Sequence, residues 1–122
     1  MEINTPEPQE SKPDSTQLPF HLPYSELEEA HNISFSKRLV KTVKAAILVA
    51  LKKEESFEAA SQSIIDYLRT TRHSQNWLCS FERVEQSEMH MKCHYSSEIA
   101  FTFVHNEIRY IVKVAELGYD QC

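Results

Sequence analysis

The sequence predicts an α+β domain in which two antiparallel helices precede an antiparallel β-meander. Apolar residues recur at helical spacing in the middle of the chain and at a period of two from Trp77 onward, which predicts the two kinds of element. All five prolines lie within the first 23 residues, which places the domain boundary after them. We therefore divide the chain into a disordered acidic, proline-rich tail (1–33), a folded domain (34–117) and a short C-terminal tail (118–122).

The N-terminal segment carries most of the net charge. Residues 1–33 contain seven acidic residues and one basic residue, whereas residues 34–122 contain eleven acidic and twelve basic residues. The segment has little to bury, which is typical of disorder, although Leu18–Tyr24 is apolar enough to pack against a domain. The near-neutral remainder shows no basic stripe, which argues against nucleic acid as a ligand.

Three features of the sequence predict a cytoplasmic protein. No apolar run approaches the roughly 20 residues that span a bilayer, so we expect no membrane segment. The N-terminus lacks a basic region followed by an apolar stretch, so we expect no secretory signal. The three cysteines, Cys79, Cys93 and Cys122, are odd in number and suit reduced thiols rather than a disulfide framework.

Two helices are predicted between Ser36 and Arg72. In the first helix, apolar residues alternate with lysines and an arginine at helical spacing, and Ser36 can cap its start. Ser56 can cap the second helix, which places Glu58 in the positive first turn. The link, Lys53–Glu55, is short enough to make the helices antiparallel neighbours.

Four segments of alternating polarity follow the helices, and short links between them predict the meander. The segments are 77–82, 89–95, 99–104 and 108–114. One face of such a sheet packs on the helices, and the other faces water or a partner. Met89 and Met91 fit either a core-facing side of their strand or an adaptable binding surface, because thioethers suit both.

The reactive side chains form no catalytic or metal-binding pattern. His90, Cys93 and His94 are close in sequence, but in a strand Cys93 faces away from both histidines, and no second cluster has zinc spacing. No thiol has a nearby base and a group that orients it. The single glycine, Gly118, argues against a loop that cradles phosphates. We therefore expect no enzymatic activity, no metal and no cofactor.

The order helix, short link, helix and a strand that opens with a Trp-x-Cys stretch resembles the small, hub-type cytoplasmic dynein light chains. The resemblance covers roughly residues 34–117. Trp77, Cys79 and Arg83 stand at the spacings of the family's tryptophan, cysteine and following arginine. The last two predicted strands also fit, because an aromatic-alternating strand precedes an aliphatic one.

The resemblance implies a strand-exchanged homodimer that binds extended segments of client proteins by β-strand addition. It places a peptide-binding groove at an acid of the second helix, at an edge strand and at two aromatic residues beneath that strand. These residues are Glu58, Met89, His90, Met91, Lys92, Cys93, His94, Phe101 and Phe103. Two grooves in a dimer would give bivalent capture of clients.

The resemblance further implies a cytoplasmic, cytoskeleton-associated subunit of a microtubule motor complex, or a dimerisation hub, with dynein intermediate chain as one partner. The alternative is a fixed structural subunit of an axonemal or other complex, whose groove is closed. The chain departs from the family pattern at Ala59, which replaces a lysine, and at Leu78, which replaces a histidine. The family's first strand would fall on Glu28–Ile33, but these residues lack its apolar pair, so we leave them in the tail.

Overall fold

The computed structural model describes residues 17–72, 76–86 and 95–117. Over these residues the chain is an α+β domain with two helices and a four-stranded antiparallel sheet, so the predicted fold class is confirmed. The elements are β1 (Glu28–Ile33), α1 (Lys37–Lys53), α2 (Phe57–Arg72), β2 (Trp77–Arg83), β3 (Tyr95–His105) and β4 (Ile108–Leu117), with 3₁₀ turns at Tyr24–Glu26 and Val84–Gln86. Three sequence predictions, for residues 1–16, Met89–His94 and 118–122, lie outside the described residues.

Both helices begin at the predicted caps. The Ser36 hydroxyl accepts a hydrogen bond of 3.1 Å from the backbone N–H of Leu39, and the Ser56 hydroxyl accepts one of 3.0 Å from that of Ala59. Each cap satisfies an N–H group that has no partner within the first turn of its helix. At the other end of α1, the Glu54 N–H donates to the Ala50 carbonyl over 2.9 Å.

The predicted disordered tail is wrong for residues 17–27, which we call the N-terminal strap. Leu27 is fully buried, and the Phe20 N–H donates to the carbonyl of Leu51 in α1 over 2.9 Å. The Phe20 ring stacks on the ring of His105 in β3, with 3.7 Å between their centroids. The prediction that the apolar stretch within the strap packs against the domain is therefore confirmed.

The predicted boundary at Ser34 is also wrong, because Glu28–Ile33 forms strand β1 and pairs with β3. Sequence periodicity misses this strand, since every side chain except the half-buried His31 is exposed. The strand is held by its backbone pairing. The Asn32 side chain then closes the turn into α1, because it donates to the Phe35 carbonyl over 3.0 Å and accepts from the Phe35 N–H over 2.9 Å.

The strand order is β1-β3-β4-β2, so the predicted meander is wrong in one respect. In the predicted meander, segment 99–104 pairs with segment 89–95. In the structure, β3 lies between β1 and β4, and β2 pairs with β4 along its whole length. The β3–β4 hairpin is present as predicted, with its turn at Asn106 and Glu107, which have φ angles of 54° and 69°. Asparagine tolerates this left-handed region better than most residues.

The sheet has an inner face toward the helices and an outer face away from them. On the inner face, residues of β3 and β4 join the helices in one hydrophobic core. Its fully buried members include Val43, Ile47, Leu51, Ile64, Leu68, Ile99, Phe101, Phe103, Val112 and Val114. On the outer face, the cross-strand pairs place Ile33, Glu98, Ala115 and Leu78 in one row from β1 to β2. We call these four residues the outer row.

The prediction that the folded part lacks a basic stripe is wrong. Within α1 there are six basic residues and no acidic ones, so the helix concentrates a positive charge that the near-neutral average of the domain hides. Within the described ranges, the molecule has no helix that is both long enough and apolar enough to cross a membrane.

Candidate functional site

Among the described residues, strand β2 lies at an edge of the sheet, because it pairs with β4 on one side only. Within these ranges no strand pairs with the backbone N–H and C=O groups that point away from β4, and such groups of an edge strand can pair with another extended segment. A segment that paired there would continue the antiparallel sheet by one strand.

A cleft of about 410 Å³ runs beside this edge, between α2 and β2. We call it the α2–β2 cleft. It is lined by Phe57, Glu58, Ser61, Gln62 and Ile65 from α2 and by Cys79, Ser80 and Phe81 from β2. The lining combines two aromatic rings and an aliphatic side chain with a carboxylate, an amide and hydroxyls, so the cleft can receive apolar side chains and orient polar ones.

Aromatic contacts fix one end of the α2–β2 cleft. Phe57, the first residue of α2, stacks on Phe81 of β2 with 4.7 Å between the ring centroids and 7° between the ring planes. Tyr110 meets Phe57 edge-on at 5.2 Å. Behind them, the Phe103 ring lies 6.4 Å from Phe81. These rings pack the start of α2 against the sheet at one end of the cleft.

Cys79 contributes a half-buried thiol to the cleft, and its pKa is raised. Burial raises its pKa from 9.0 to about 12, although a hydrogen bond with Ser61 acts in the opposite direction. A thiol with such a pKa stays protonated at neutral pH and reacts slowly. Within the described ranges, moreover, no three histidine, cysteine or carboxylate side chains come together as metal ligands.

The structure separates the residues that the sequence predicted for the groove. Glu58 lines the α2–β2 cleft and is exposed. Phe101 and Phe103 do not line it, because they are 0% and 1% exposed in the core. Of the two, Phe103 lies behind the cleft residue Phe81, with 6.4 Å between the ring centroids. The predicted groove strand, Met89–His94, lies outside the described residues.

Sequence reasoning missed the other residues of the cleft. On α2, positions 57, 61 and 65 follow a spacing of four and so share one face, beside the stripe that enters the core. On β2, alternation puts Cys79 and Phe81 on one face of the strand, but it does not identify the neighbouring strand. The local pattern was therefore visible, but the neighbour of β2 was not, because pairing with β4 depends on contacts far apart in sequence.

The outer face supplies a second feature of this edge. Leu78 on β2 is 43% exposed and Ile33 on β1 is 53% exposed, so the outer row presents apolar side chains at both edges of the sheet. Between them, His31 approaches Glu98 to 3.2 Å and ties β1 to β3. No helix of the described chain covers this face.

Comparison with known proteins gives no relative: no protein-family model matches the chain, and no curated protein sequence is significantly similar to it.

Proposed function

We propose that the chain is a non-catalytic, dimeric protein-interaction module that binds extended segments of client proteins by adding strands to its sheet. The observation that carries the proposal is the edge strand β2 with the α2–β2 cleft directly beside it. Main-chain hydrogen bonds along an edge give affinity, and neighbouring pockets that accept alternate side chains give specificity. The edge strand and the neighbouring cleft, which this recognition mode combines, lie side by side.

The lining of the cleft supports a peptide rather than a reaction. Its thiol is kept protonated by burial, and its one carboxylate, Glu58, has no second acid or base beside it in the cleft lining. General acid–base chemistry needs a positioned pair of groups with suitable pKa values. Hydrogen bonding by Glu58, Gln62 and Ser80 instead suits the polar side chains of an extended client.

The dimer is supported by the outer face of the sheet. A second copy packed on this face would remove further apolar surface from water, which favours association. Exposed Leu78 and Ile33 lie at the two ends of the outer row, where such a copy would cover them. By the resemblance, each subunit also lends a strand to its partner's sheet, and the client adds its own strand at the edge of the sheet next to the α2–β2 cleft.

The cellular role follows from the same resemblance. We propose a cytoplasmic, cytoskeleton-associated protein that serves as a motor-complex subunit or as a dimerisation hub, with dynein intermediate chain as one client. A fixed structural subunit with a closed groove is the competing outcome. The two differ in whether the full-length chain captures foreign peptides.

Peptide capture is tested by a pull-down with the full-length chain, followed by identification of a short motif shared by the bound proteins. A synthetic peptide with that motif is then titrated by calorimetry into wild type and into Gln62→Trp, which fills the α2–β2 cleft from an exposed position. The control is Thr70→Trp, an exposed position of α2 that does not line this cleft.

We expect Gln62→Trp to abolish binding and Thr70→Trp to leave it unchanged. Equal binding by wild type and Gln62→Trp would place the client elsewhere. Capture of no peptide by any of the three proteins would favour the closed structural subunit. Dimerisation is tested separately by sedimentation, where we expect a dimer for wild type and dissociation for Leu78→Glu, with Val49→Glu as the control on an exposed helix face.

A further inference from the structure

Helix α1 presents a row of cations that strand addition does not use. Helical spacing puts Lys37, Lys41, Lys44 and Lys52 on one side, away from the buried residues of the same helix. We call these four residues the lysine row. Three of them are exposed, and Lys44 is half-buried with its ammonium 4.0 Å from the centre of the Tyr24 ring.

The charges of α1 oppose the stability of the helix itself. Lys37 and Arg38 occupy the first turn, where the helix dipole favours acids, and this turn contains none. Lys37 and Lys41 are four residues apart, a spacing at which like charges repel. Among the described residues, neither lysine nor Arg38 makes an ion pair. Lys52 lies in the last turn, where the dipole favours a cation, and Lys44 contacts Tyr24. Local energetics does not explain Lys37 and Lys41, whereas a negatively charged partner would.

A groove of about 620 Å³ lies between α1 and α2. We call it the interhelix groove. Two members of the lysine row are helical neighbours of its lining residues, because Lys41 is four residues before Ala45 and Lys52 is three residues after Val49. Val49 and Tyr67 line the groove and are 52% and 50% exposed, which is high for apolar and aromatic side chains. Lys53 lies at the end of the groove toward the C-terminus of α1. The remaining lining residues are Ala45, Ala46, Glu54, Ser63, Asp66 and Thr70.

We infer that the lysine row and the interhelix groove together form a second docking surface, which takes an acidic amphipathic segment of a partner protein. Apolar side chains of the segment enter the groove over Val49 and Tyr67, and its carboxylates face the lysine row. The surface lies on the helices, so this inference goes beyond strand addition at β2 and does not depend on it.

The distribution of charge favours a peptide over a polyanion or a membrane. Glu54 and Asp66 line the same groove, and they would repel a continuous array of phosphates. The whole chain has a net charge of −5, which also opposes binding to a polyanion. A peptide avoids this repulsion because it can carry its acids on one side only. The concave apolar floor, finally, fits the side chains of a helix better than a flat lipid surface.

The test uses the full-length chain and a fluorescein-labelled synthetic helix of leucine and glutamate with all leucines on one face. A second peptide of the same composition has a scrambled order. Binding is followed by fluorescence anisotropy, and a short DNA duplex and phosphatidylserine vesicles compete in separate titrations. The variant is Lys41→Gln/Lys52→Gln, and the control is Arg109→Glu, an exposed cation on β4 that does not line the interhelix groove. Both changes alter the net charge by the same amount.

We expect the amphipathic peptide to bind wild type and Arg109→Glu equally, and the double variant at least roughly tenfold more weakly. Val49→Ser should also weaken binding, because it removes the apolar contact at an exposed position. Absence of binding to wild type, an equal loss in both charge variants, or equal binding of the scrambled peptide would overturn the inference. Tighter binding of DNA or of vesicles than of the peptide would also overturn it.

Discussion

The N-terminal strap leads to a sharp prediction about stability, because the sequence predicts a disordered tail there and the structure packs it against the domain. Leu27 is 0% exposed and belongs to the main hydrophobic core. Leu27→Ala removes three carbons, each worth about 0.8 kcal/mol when buried, and leaves a cavity that adds to the loss. We therefore expect the free energy of unfolding to fall by about 3 kcal/mol.

In a domain of this size, a loss of about 3 kcal/mol lowers the Tm by roughly 12–24 °C. The assay is thermal unfolding followed by circular dichroism. The control is Val49→Ala, at a position that is 52% exposed, where surface truncation changes stability by no more than about 0.5 kcal/mol. If Leu27→Ala and Val49→Ala shift the Tm equally, then the strap does not pack in the core and the boundary belongs near Ser34 after all.

Three further predictions concern single groups. In a Cys93→Ser/Cys122→Ser background, the Cys79 thiol should react with iodoacetamide only after unfolding, because burial raises its pKa to about 12; rapid alkylation of the native protein would contradict this. Burial lowers the pKa of His105 below 6.5, so the unfolded chain binds a proton more readily than the folded chain, and stability should fall as the pH drops below 6.5. In urea titrations His105→Gln should lose less stability over this pH range than wild type. Equal losses in the two proteins would refute this. Ser56→Ala should lower the free energy of unfolding by about 1 kcal/mol in the same titrations, since it removes the N-cap of α2. An unchanged urea midpoint would show that the cap does not stabilise the domain.

Local signals predicted the helices well. Ser36 and Ser56 stand before apolar residues at helical spacing, and both caps are formed because capping needs only a hydroxyl and the next turn of chain. The β3–β4 hairpin was equally visible, since its two strands alternate and its turn contains Asn106. These elements depend on contacts within a few residues.

The features that sequence reasoning missed depend on distant contacts. Strand β1 has no buried alternation to detect, because backbone pairing with β3 holds it. The position of β2 beside β4 follows from the register of the whole sheet and not from the order of the strands. The α2–β2 cleft depends on that register, so local sequence patterns do not predict its lining. Glu58 was predicted through a resemblance, and Phe57 and Phe81 were not predicted as site residues.

The concentration of positive charge on α1 was not predicted, for a different reason. Summing acids and bases over residues 34–122 gives a nearly neutral domain, although α1 alone carries six cations and no acid. A count by element would have found the lysine row, because all of its members lie in one predicted helix. The lysine row was not predicted because a net charge sums residues from all surfaces of the domain, including surfaces that face different directions.

The measurement that tests strand addition most directly is backbone amide hydrogen exchange by NMR, with and without a saturating client peptide from the pull-down. On an edge strand, only every second N–H points outward, so a newly paired strand slows exchange at alternate residues. We predict slowed exchange with this period of two along one strand bordering the α2–β2 cleft, together with shifted resonances at Glu58 and Gln62. Uniform slowing along α1, with no alternating pattern in any strand, would contradict the proposed function.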